Sequence, residues 1–411
     1  MRIWKDSLSY LLSLGKWTLL ALLTGILGGG IGALFLYLFD LSVSWYQKIP
    51  WLFCLLPLFG LLIVLLYRIL RREADRGTNE VILTVQTGTA ASPLTMPLIM
   101  AGTLLTQLGG GSAGKEGAAL QIGGSLGSSL ACLFRLPGNG KTLLSLCGMS
   151  AVFSAVFGTP FTAALFVLEF TSVGVIHISA FPVCFLSSLA ALSTARFIGA
   201  AEAPFPVPEM PAFSFLPLGS VLILSLAAGI VSILFCLLLH GTEDLFGKLL
   251  PNRFMRVAAG GLLLVLLTFL LRDFGLNGSG AGVISSLLSG KKVFPFFFIL
   301  KMLFTAVTIG SGYKGGEIVP TLAIGAGLGA LAAPLLSLDP AFGAAVGMVA
   351  LFSGVTNCAV AAAALGAELF GWNGVLFFAL ASAVSYAVSG NFSLYKTQRV
   401  FFSKVSGRIT D

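Results

Sequence analysis

Charged side chains are scarce in this sequence. Asp, Glu, Lys and Arg together supply 10% of its 411 residues, whereas soluble globular proteins carry about 25%. Apolar residues supply 57% of the sequence, and stretches of about membrane-spanning length recur along it. Six such stretches are residues 17–39, 51–70, 178–195, 215–239, 257–271 and 294–309. The composition excludes a soluble protein and predicts an all-α, multi-pass integral membrane protein.

Cysteine and histidine occur only as isolated residues. The six cysteines lack any CxxC spacing: Cys54, Cys132, Cys147, Cys184, Cys236 and Cys358. This pattern is typical of small buried side chains rather than of disulfides or a zinc site. The two histidines, His177 and His240, form neither an HExxH motif nor a serine–histidine pair. No metal site or cofactor is predicted, and an intramembrane enzyme stays only as an alternative class.

Acidic residues are fewer than basic ones, 16 against 24, which gives a net charge of +8. The basic residues cluster in loops and at both termini, without the stripe that would indicate a nucleic-acid partner. Two clusters follow apolar stretches: Arg68, Arg71, Arg72 and Arg76, and then Lys248, Arg253 and Arg256. Because cytoplasmic loops are enriched in Lys and Arg, we expect these loops and both termini on the cytoplasmic side of the inner (plasma) membrane.

One sequence unit occurs twice. The stretch GMSAVFSAVFGTPFTAALFVLEF, residues 148–170, lines up without gaps on the stretch that begins at Gly347, so that Glu169 falls opposite Glu368. Upstream, GKEGAALQIGGSLG resembles GGEIVPTLAIGAGLG. Duplicated membrane units are typical of secondary transporters, whose sites form between the repeats. The residues alone leave parallel and inverted arrangements of the two units open.

The repeats suggest a division of the chain. We expect an amphipathic helix on the membrane surface over residues 1–16, since this stretch lacks the cleavage site of a signal peptide. A first membrane repeat is expected over 17–199, a proline-rich linker over 200–213 and a second repeat over 214–390. Residues 391–411 complete the chain as a C-terminal segment with a basic tail.

Four acidic residues stand deep inside apolar, glycine-rich parts of the sequence: Glu116, Glu169, Glu317 and Glu368. They form two pairs at matching repeat positions. An isolated carboxylate in hydrocarbon costs about 2.5–3.5 kcal/mol on insertion scales, so such groups face partners or a hydrated path. Capping of backbone N–H groups explains Glu169 and Glu368 better than it explains Glu116.

The stretch GGGSAGKEG, residues 109–117, allows three interpretations. It fits the start of a phosphate-binding P-loop, but Glu116 stands where that motif requires Ser or Thr. Glycine-mediated helix packing explains Gly123, Gly124 and Gly127, yet it does not explain Lys115 and Glu116. The third interpretation is a broken helix that begins near mid-membrane and presents its free N–H groups to an anion.

The third interpretation gives Glu116 a function. Ionised, its carboxylate can occupy the helix start as a tethered anion; protonated, it can leave and admit a free anion. Competition of this kind couples proton movement to anion movement. In the second repeat, GGEIVP would present another helix start to the same region, with Pro320 suited to a first turn.

These motifs resemble the CLC family of chloride channels and proton-coupled anion transporters. A glycine-led turn near Gly77, GKEG at 114–117, GGEIVP at 315–320 and SGNFSLY ending at Tyr395 occur in the family's order over nearly the whole chain. The resemblance implies a homodimer in which each subunit has its own pathway between two inverted repeats of tilted and broken helices. It also implies that Glu116 is the gating, proton-carrying glutamate and that the Tyr395 hydroxyl binds the central anion.

Departures from the chloride members resemble the bacterial fluoride/proton antiporter branch. Thr78 or Asn79 stands where the chloride members have the central serine, and Ala118 stands where they have proline. Ile318, preceded by Glu317, replaces the usual phenylalanine, and Phe170 replaces the internal relay glutamate. That branch shares GYKGGE, here residues 312–317. It often has threonine where this chain has Val319 and commonly histidine where it has Asn391.

The sequence thus favours fluoride/proton antiport that exports fluoride, with chloride/proton exchange or a passive chloride channel as the alternative. The anion-binding residues are expected to be Thr78, Asn79, Gly114, Lys115, Gly117, Glu317, Ile318, Val319 and Tyr395. Lys115 could instead only screen charge in the entry vestibule. The alternative for Ile318 and Val319 is packing against the core or against lipid. Phe153 and Phe352 recur at matching positions and are expected to pack in the core rather than to gate.

Overall fold

The computed structural model describes residues 2–200, 205–272, 274–401 and 404. These residues form sixteen α-helices and two short strands. The helices are α1 (Arg2–Lys48), α2 (Leu56–Ile69), α3 (Thr78–Thr87), α4 (Thr95–Leu108), α5 (Glu116–Leu133), α6 (Gly138–Phe157), α7 (Pro160–Glu169), α8 (Phe181–Ile198), α9 (Phe215–Leu249), α10 (Arg253–Leu271), α11 (Ala281–Leu288), α12 (Phe297–Gly310), α13 (Ile318–Ala332), α14 (Pro340–Thr356), α15 (Ala359–Phe370) and α16 (Val375–Val388). The strands β1 (Ser172–Val173) and β2 (Arg399–Val400) pair in parallel. Part of the predicted linker, 201–204, and Arg408 of the tail lie outside the described residues.

Seven of the described helical stretches are long and apolar enough to cross a membrane. The prediction of an all-α, multi-pass chain is therefore confirmed. Two of these spans, Gly138–Phe157 and Ile318–Leu336, were not among the six stretches picked from the sequence. The predicted stretch 294–309 instead falls on α12, which has only 14 residues. Residues 2–16, expected from the sequence as a surface helix, form the first part of the continuous backbone of α1.

Glycines allow the buried helices to cross at close range. A Cβ atom on Gly123 of α5 would lie 2.2 Å from the carbonyl oxygen of Gly148 on α6. In the second repeat, a Cβ on Gly325 of α13 would lie 2.3 Å from the carbonyl oxygen of Gly347 on α14. Only glycine permits such an approach of two backbones, as at membrane helix interfaces generally. The α5/α6 crossing thus recurs as the α13/α14 crossing.

Glu169 and Glu368 cap helices of the opposite repeat. The Glu169 carboxylate, at the end of α7, accepts hydrogen bonds from the N–H groups of Val360 and Ala361 at 3.1 and 2.9 Å, in the first turn of α15. The Glu368 carboxylate, on α15, accepts from the second and third residues of α7 at 2.9 and 2.7 Å. Each acid therefore satisfies the free amides of a helix start and complements its dipole.

Replacing either acid with its amide should destabilise the protein without removing proton coupling. In Glu169→Gln or Glu368→Gln, the side chain keeps one acceptor oxygen instead of two and loses its charge. We therefore expect the free energy of unfolding to fall by about 1–3 kcal/mol for each change. Thermal unfolding in detergent measures the loss. Glu209→Gln, at an exposed position, is the matched control and should leave the unfolding temperature unchanged. Equal unfolding temperatures for all three variants and the wild type would contradict the capping role.

Candidate functional site

The starts of α5 and α13 meet at a two-stranded bridge between the repeats. The N–H of Gly114 donates to the carbonyl oxygen of Gly316 at 2.6 Å, and the N–H of Gly316 donates to that of Gly114 at 2.8 Å. A Cβ on Gly316 would lie 2.4 Å from the nitrogen of Gly117. The two glycine-rich stretches that were predicted to begin helices facing the same region are therefore in direct backbone contact.

The Glu116 carboxylate occupies the start of its own helix. Glu116 is the first residue of α5 and is fully buried. Its Oε2 atom accepts a hydrogen bond from the N–H of Lys115 at 3.1 Å and would lie 2.7 Å from a Cβ on Gly114. The side chain thus folds back over the free amides, where the dipole favours a negative charge. This is the position that the sequence predicts for a tethered anion.

A cavity of about 630 Å³ adjoins this carboxylate. Glu116, Lys115 and Val319 line it together with the end of α1 and the segment between α10 and α11. We call it the Glu116 cavity. The Lys115 ammonium lies over the ring of Phe39, 5.4 Å from its centroid, where an aromatic face attracts a cation.

A buried lysine that the sequence reasoning missed orders one wall of the Glu116 cavity. The ammonium of Lys301, on α12, donates to the carbonyl oxygens of Leu276 and Gly278 at 2.9 and 2.7 Å. Gly278 lines the cavity. A charged residue within an apolar run, FFILKMLF, was the available sequence signal.

A second cavity, of about 700 Å³, adjoins the start of α3 and Glu317. We call it the Glu317 cavity. Thr78, Asn79 and Glu317 all line it. So do several basic residues, among them Arg76, Arg253, Arg256, Lys314 and Lys396. Clustered basic groups at the mouth of a cavity raise the local concentration of anions.

The start of α3 is held in place by an ionic network between the repeats. The buried Asp75 carboxylate accepts a hydrogen bond from the N–H of Gly77 at 2.7 Å, directly before the helix. The same carboxylate oxygen lies 3.4 Å from the ammonium of Lys314, in the GYKGGE stretch of the second repeat. Asp75 therefore fixes one helix start relative to the other. The two-residue spacing of Asp75 and Gly77 could have indicated the first of these contacts from the sequence. The contact with Lys314 in the other repeat could not have been predicted.

Glu317, Ile318 and Val319 lie at the start of α13. Glu317 is the residue that precedes the helix, and all three side chains are buried. The burial excludes lipid contact for Ile318 and Val319, one of the alternatives left open by the sequence. Val319 lines the Glu116 cavity and Glu317 lines the Glu317 cavity. The start of α13 thus separates the two cavities.

Tyr395 is buried beside this helix start. Its hydroxyl has no hydrogen-bond partner among the residues that the structure describes, although buried phenols usually find one. Its ring meets that of Phe170 edge-on at a centroid distance of 5.7 Å, and Glu317 lies within electrostatic range. A free buried O–H is a donor available to an anion.

A row of contacting aromatic rings extends from the Glu116 cavity to Tyr395. Phe157 lines that cavity, and the rings of Phe157, Phe153, Phe166, Phe170 and Tyr395 follow at centroid distances of 5.6, 5.4, 5.0 and 5.7 Å. Phe352 packs on Phe166 at 5.3 Å. Phe153 and Phe352 are fully buried, in agreement with the predicted core packing.

The predicted residues fall into two groups around the bridge. Lys115, Glu116 and Val319 line the Glu116 cavity, whereas Thr78, Asn79 and Glu317 line the Glu317 cavity. Gly114 and Gly117 form the backbone contact between them. The side-chain oxygen of Asn79 accepts hydrogen bonds from the N–H and the hydroxyl of Thr397 at 3.1 and 2.9 Å. This oxygen therefore anchors the C-terminal segment.

Comparison with known proteins gives a consistent result. Residues 59–390 match the family described as voltage gated chloride channel. A protein named chloride/fluoride channel protein, from Pseudomonas syringae pv. tomato, is 33% identical over 408 residues, which cover 97% of this chain and 90% of that protein. The H(+)/Cl(-) exchange transporter ClcA of Vibrio cholerae is 28% identical over 271 residues, which cover 60% of this chain and 56% of that protein.

Solved structures share the fold. The crystal structure of a CLC-type fluoride/proton antiporter superposes with a TM-score of 0.90 at 30% identity, covering 94% of this chain and 98% of the other. A slow cyanobacterial Cl⁻/H⁺ antiporter superposes with a TM-score of 0.77 at 21% identity, covering 91% and 94%. These likenesses confirm the predicted fold of two inverted repeats with many broken helices. The chain is a multi-pass membrane protein that belongs to the voltage-gated chloride channel (CLC) family, whose members are channels and transporters.

Proposed function

We propose that this protein is a fluoride/proton antiporter that exports fluoride with inward proton flow. The observation that carries the proposal is the Glu116 carboxylate, folded over the start of α5 at the contact with the start of α13. The Glu116 cavity adjoins this contact at Glu116 and Val319, and the Glu317 cavity adjoins it at Gly315 and Glu317. A carboxylate in that position alternates with an anion for the same amides, and its protonation state decides which of them is bound.

Fluoride is supported by residues around the anion path. Fluoride is a small and strong hydrogen-bond acceptor, so directed donors favour it over chloride. The hydroxyls of Thr78 and Tyr395 are such donors. Phe170 leaves no internal relay acid at that position, and we assign the proton-carrying role to Glu116. The similarity to a fluoride/proton antiporter at 30% identity over 94% of the chain supports the same assignment.

Chloride is the alternative substrate. The Pseudomonas syringae relative is named for both halides, and the Vibrio cholerae relative is named as a chloride exchanger. Chloride/proton exchange or a passive chloride channel would use the same pair of helix starts. An intramembrane enzyme is a weaker alternative, because the two histidines form no catalytic motif in the sequence; one of them, His240, contacts the backbone oxygen of Ser393 at 2.8 Å.

Individual residues receive roles within this proposal. Glu116 is the gating, proton-carrying group. The anion is bound by the backbone N–H groups of Gly117, Ile318 and Val319 at the two helix starts, and by the side chains of Thr78 and Tyr395. The N–H of Gly114 donates to Gly316 and holds the two starts together. Lys115 attracts the anion in the Glu116 cavity. Asn79 and Glu317 shape the wall of the Glu317 cavity.

The remaining assignments concern assembly and orientation. We propose a homodimer in the inner (plasma) membrane with both termini in the cytoplasm. The Glu317 cavity then faces the cytoplasm, because Arg76, Arg253 and Arg256 line it and cytoplasmic loops are enriched in such residues. The repeats extend over 17–199 and 214–390, joined by the linker 200–213.

Paired halide fluxes test the substrate assignment. Purified protein in vesicles loaded with fluoride or with chloride is diluted into halide-free buffer at a set pH gradient. Ion-selective electrodes follow the anion, and a pH electrode follows the proton. We expect fluoride efflux with stoichiometric proton uptake and chloride efflux at least about tenfold slower, a difference of about 1.4 kcal/mol in barrier. Equal proton-coupled rates for fluoride and chloride would indicate an exchanger that does not distinguish the two halides. Halide efflux without proton uptake would indicate a passive channel.

A further inference from the structure

Gln121 lies on α5 beside the start of α3 and contacts Thr78. Gln121 is buried and lines the Glu317 cavity. Its Nε2 atom lies 3.4 Å from the carbonyl oxygen of Gly117 and 3.3 Å from the hydroxyl oxygen of Thr78. The carbonyl fixes the orientation of the amide, because a carbonyl oxygen can only accept a hydrogen bond. The second hydrogen of the same amino group is therefore directed at Thr78.

Thr78 must accept the hydrogen bond from Gln121. Its hydroxyl proton is then free to be donated elsewhere, since a hydroxyl can accept and donate at once. Among the described residues, no hydrogen bond donated by this hydroxyl to a protein acceptor is formed. The proton lies at the wall of the Glu317 cavity, which Thr78 lines.

The position of Thr78 in its helix explains why the proton is available. Several threonines inside helices of this protein give their proton to the carbonyl oxygen four residues earlier, as Thr106 does to Gly102 at 2.9 Å and Thr305 does to Lys301 at 2.8 Å. Thr78 is the first residue of α3, so no earlier turn supplies such an acceptor.

We infer that Gln121 is a positioning residue that turns the Thr78 hydroxyl into an anion donor and thereby favours fluoride over chloride. The inference rests on the proposed anion transport. The Gln121 amide orients the hydroxyl and polarises it, because an O–H that accepts a hydrogen bond donates a stronger one. Fluoride gains more than chloride from a short, directed O–H donor. Gln121 thus acts on selectivity through Thr78.

The experiment compares the fluoride-to-chloride efflux ratio of four proteins: wild type, Gln121→Met, Thr78→Val and the double variant. Methionine keeps the approximate length of glutamine and removes the donor. We expect each single variant to lower the ratio about tenfold, the effect of one hydrogen bond to an ion. The double variant should lower it no further than Thr78→Val alone, because both changes remove the same donated proton.

A matched control lies one turn further along α5. Ser125 is also buried, and its hydroxyl donates to the carbonyl oxygen of Ser92 at 2.7 Å. Ser125→Ala should keep the wild-type ratio. If Gln121→Met does not yield folded protein, Gln121→Leu provides a second donor-free side chain, and retained proton coupling shows that the variant is folded.

Two results would overturn the inference. The first is a wild-type ratio in Gln121→Met together with a lowered ratio in Thr78→Val. The second is a double variant whose loss equals the product of the two single losses. Failure of the transport proposal itself is a different result: the wild type would then show no halide efflux, whatever residue stands at position 121.

Discussion

Glu116→Gln is expected to abolish proton uptake while anion efflux continues. Glutamine has the shape of a protonated glutamate, but it can neither carry a proton nor become the tethered anion. In the wild type the carboxylate lies over the start of α5, with Oε2 accepting from the N–H of Lys115 at 3.1 Å. The amide cannot compete with a halide for those N–H groups, so the anion should pass without an exchanged proton.

The measurement uses vesicles with an outward anion gradient and no proton gradient. Wild-type protein should draw protons inward against equilibrium, and a protonophore should collapse that uptake. Glu116→Gln should match protein-free vesicles in proton uptake but exceed them in anion efflux. Glu209→Gln, at an exposed position that lines neither cavity, should behave as the wild type does. Undiminished coupled uptake in Glu116→Gln would remove this residue from the mechanism.

Gly316→Ala is expected to destroy the anion site by separating the two helix starts. The added Cβ would lie 2.4 Å from the nitrogen and 2.9 Å from the Cα of Gly117. Overpacking costs about 1–3 kcal/mol where side chains can move aside. Here the neighbours are backbone atoms, so the start of α5 must shift and the paired bonds between Gly114 and Gly316 must break. We expect poor assembly or, in the protein that assembles, loss of halide flux.

Size-exclusion profile, thermal stability and fluoride flux should be measured on the same preparation. Gly219→Ala is the matched control in the second repeat, because a Cβ at Gly219 would meet no atom within 4 Å and alanine favours a helix over glycine. That variant should match the wild type in elution profile and fluoride flux and should be at least as stable. A Gly316→Ala protein with wild-type flux would show that the contact of the helix starts is not needed for transport.

The sequence predicts the parts of this site that depend on local chemistry. A glycine-rich stretch followed by Glu116 marks a helix start, and α5 begins at that residue. The repeat at 315–320 predicts a second start, and α13 begins at Ile318. Buried carboxylates require donors, so the capping role of Glu169 and Glu368 also follows from burial cost alone. These inferences need no knowledge of which helices are neighbours.

Other parts depend on contacts between distant residues and were not predictable. The sequence does not reveal that Glu169 caps α15 while Glu368 caps α7, because the partners lie about two hundred positions away. The pairing of Gln121 with Thr78 is a further case: glutamine in a glycine-rich helix is equally compatible with a solvated or a packed position. Short buried helices are also hard to recognise as membrane segments, since α14 has only 17 residues.

The crossed carboxylates have a consequence for how this chain can be divided or recombined. Each half carries the acid that caps a helix in the other, so a half expressed alone would lack the carboxylate that accepts hydrogen bonds from one of its helix starts. A chimera that joins halves of two relatives keeps both helix caps only when each parent has an acid at the position of Glu169 or Glu368 that it contributes. Mutual dependence of this kind makes the duplicated halves inseparable, even though each resembles the other.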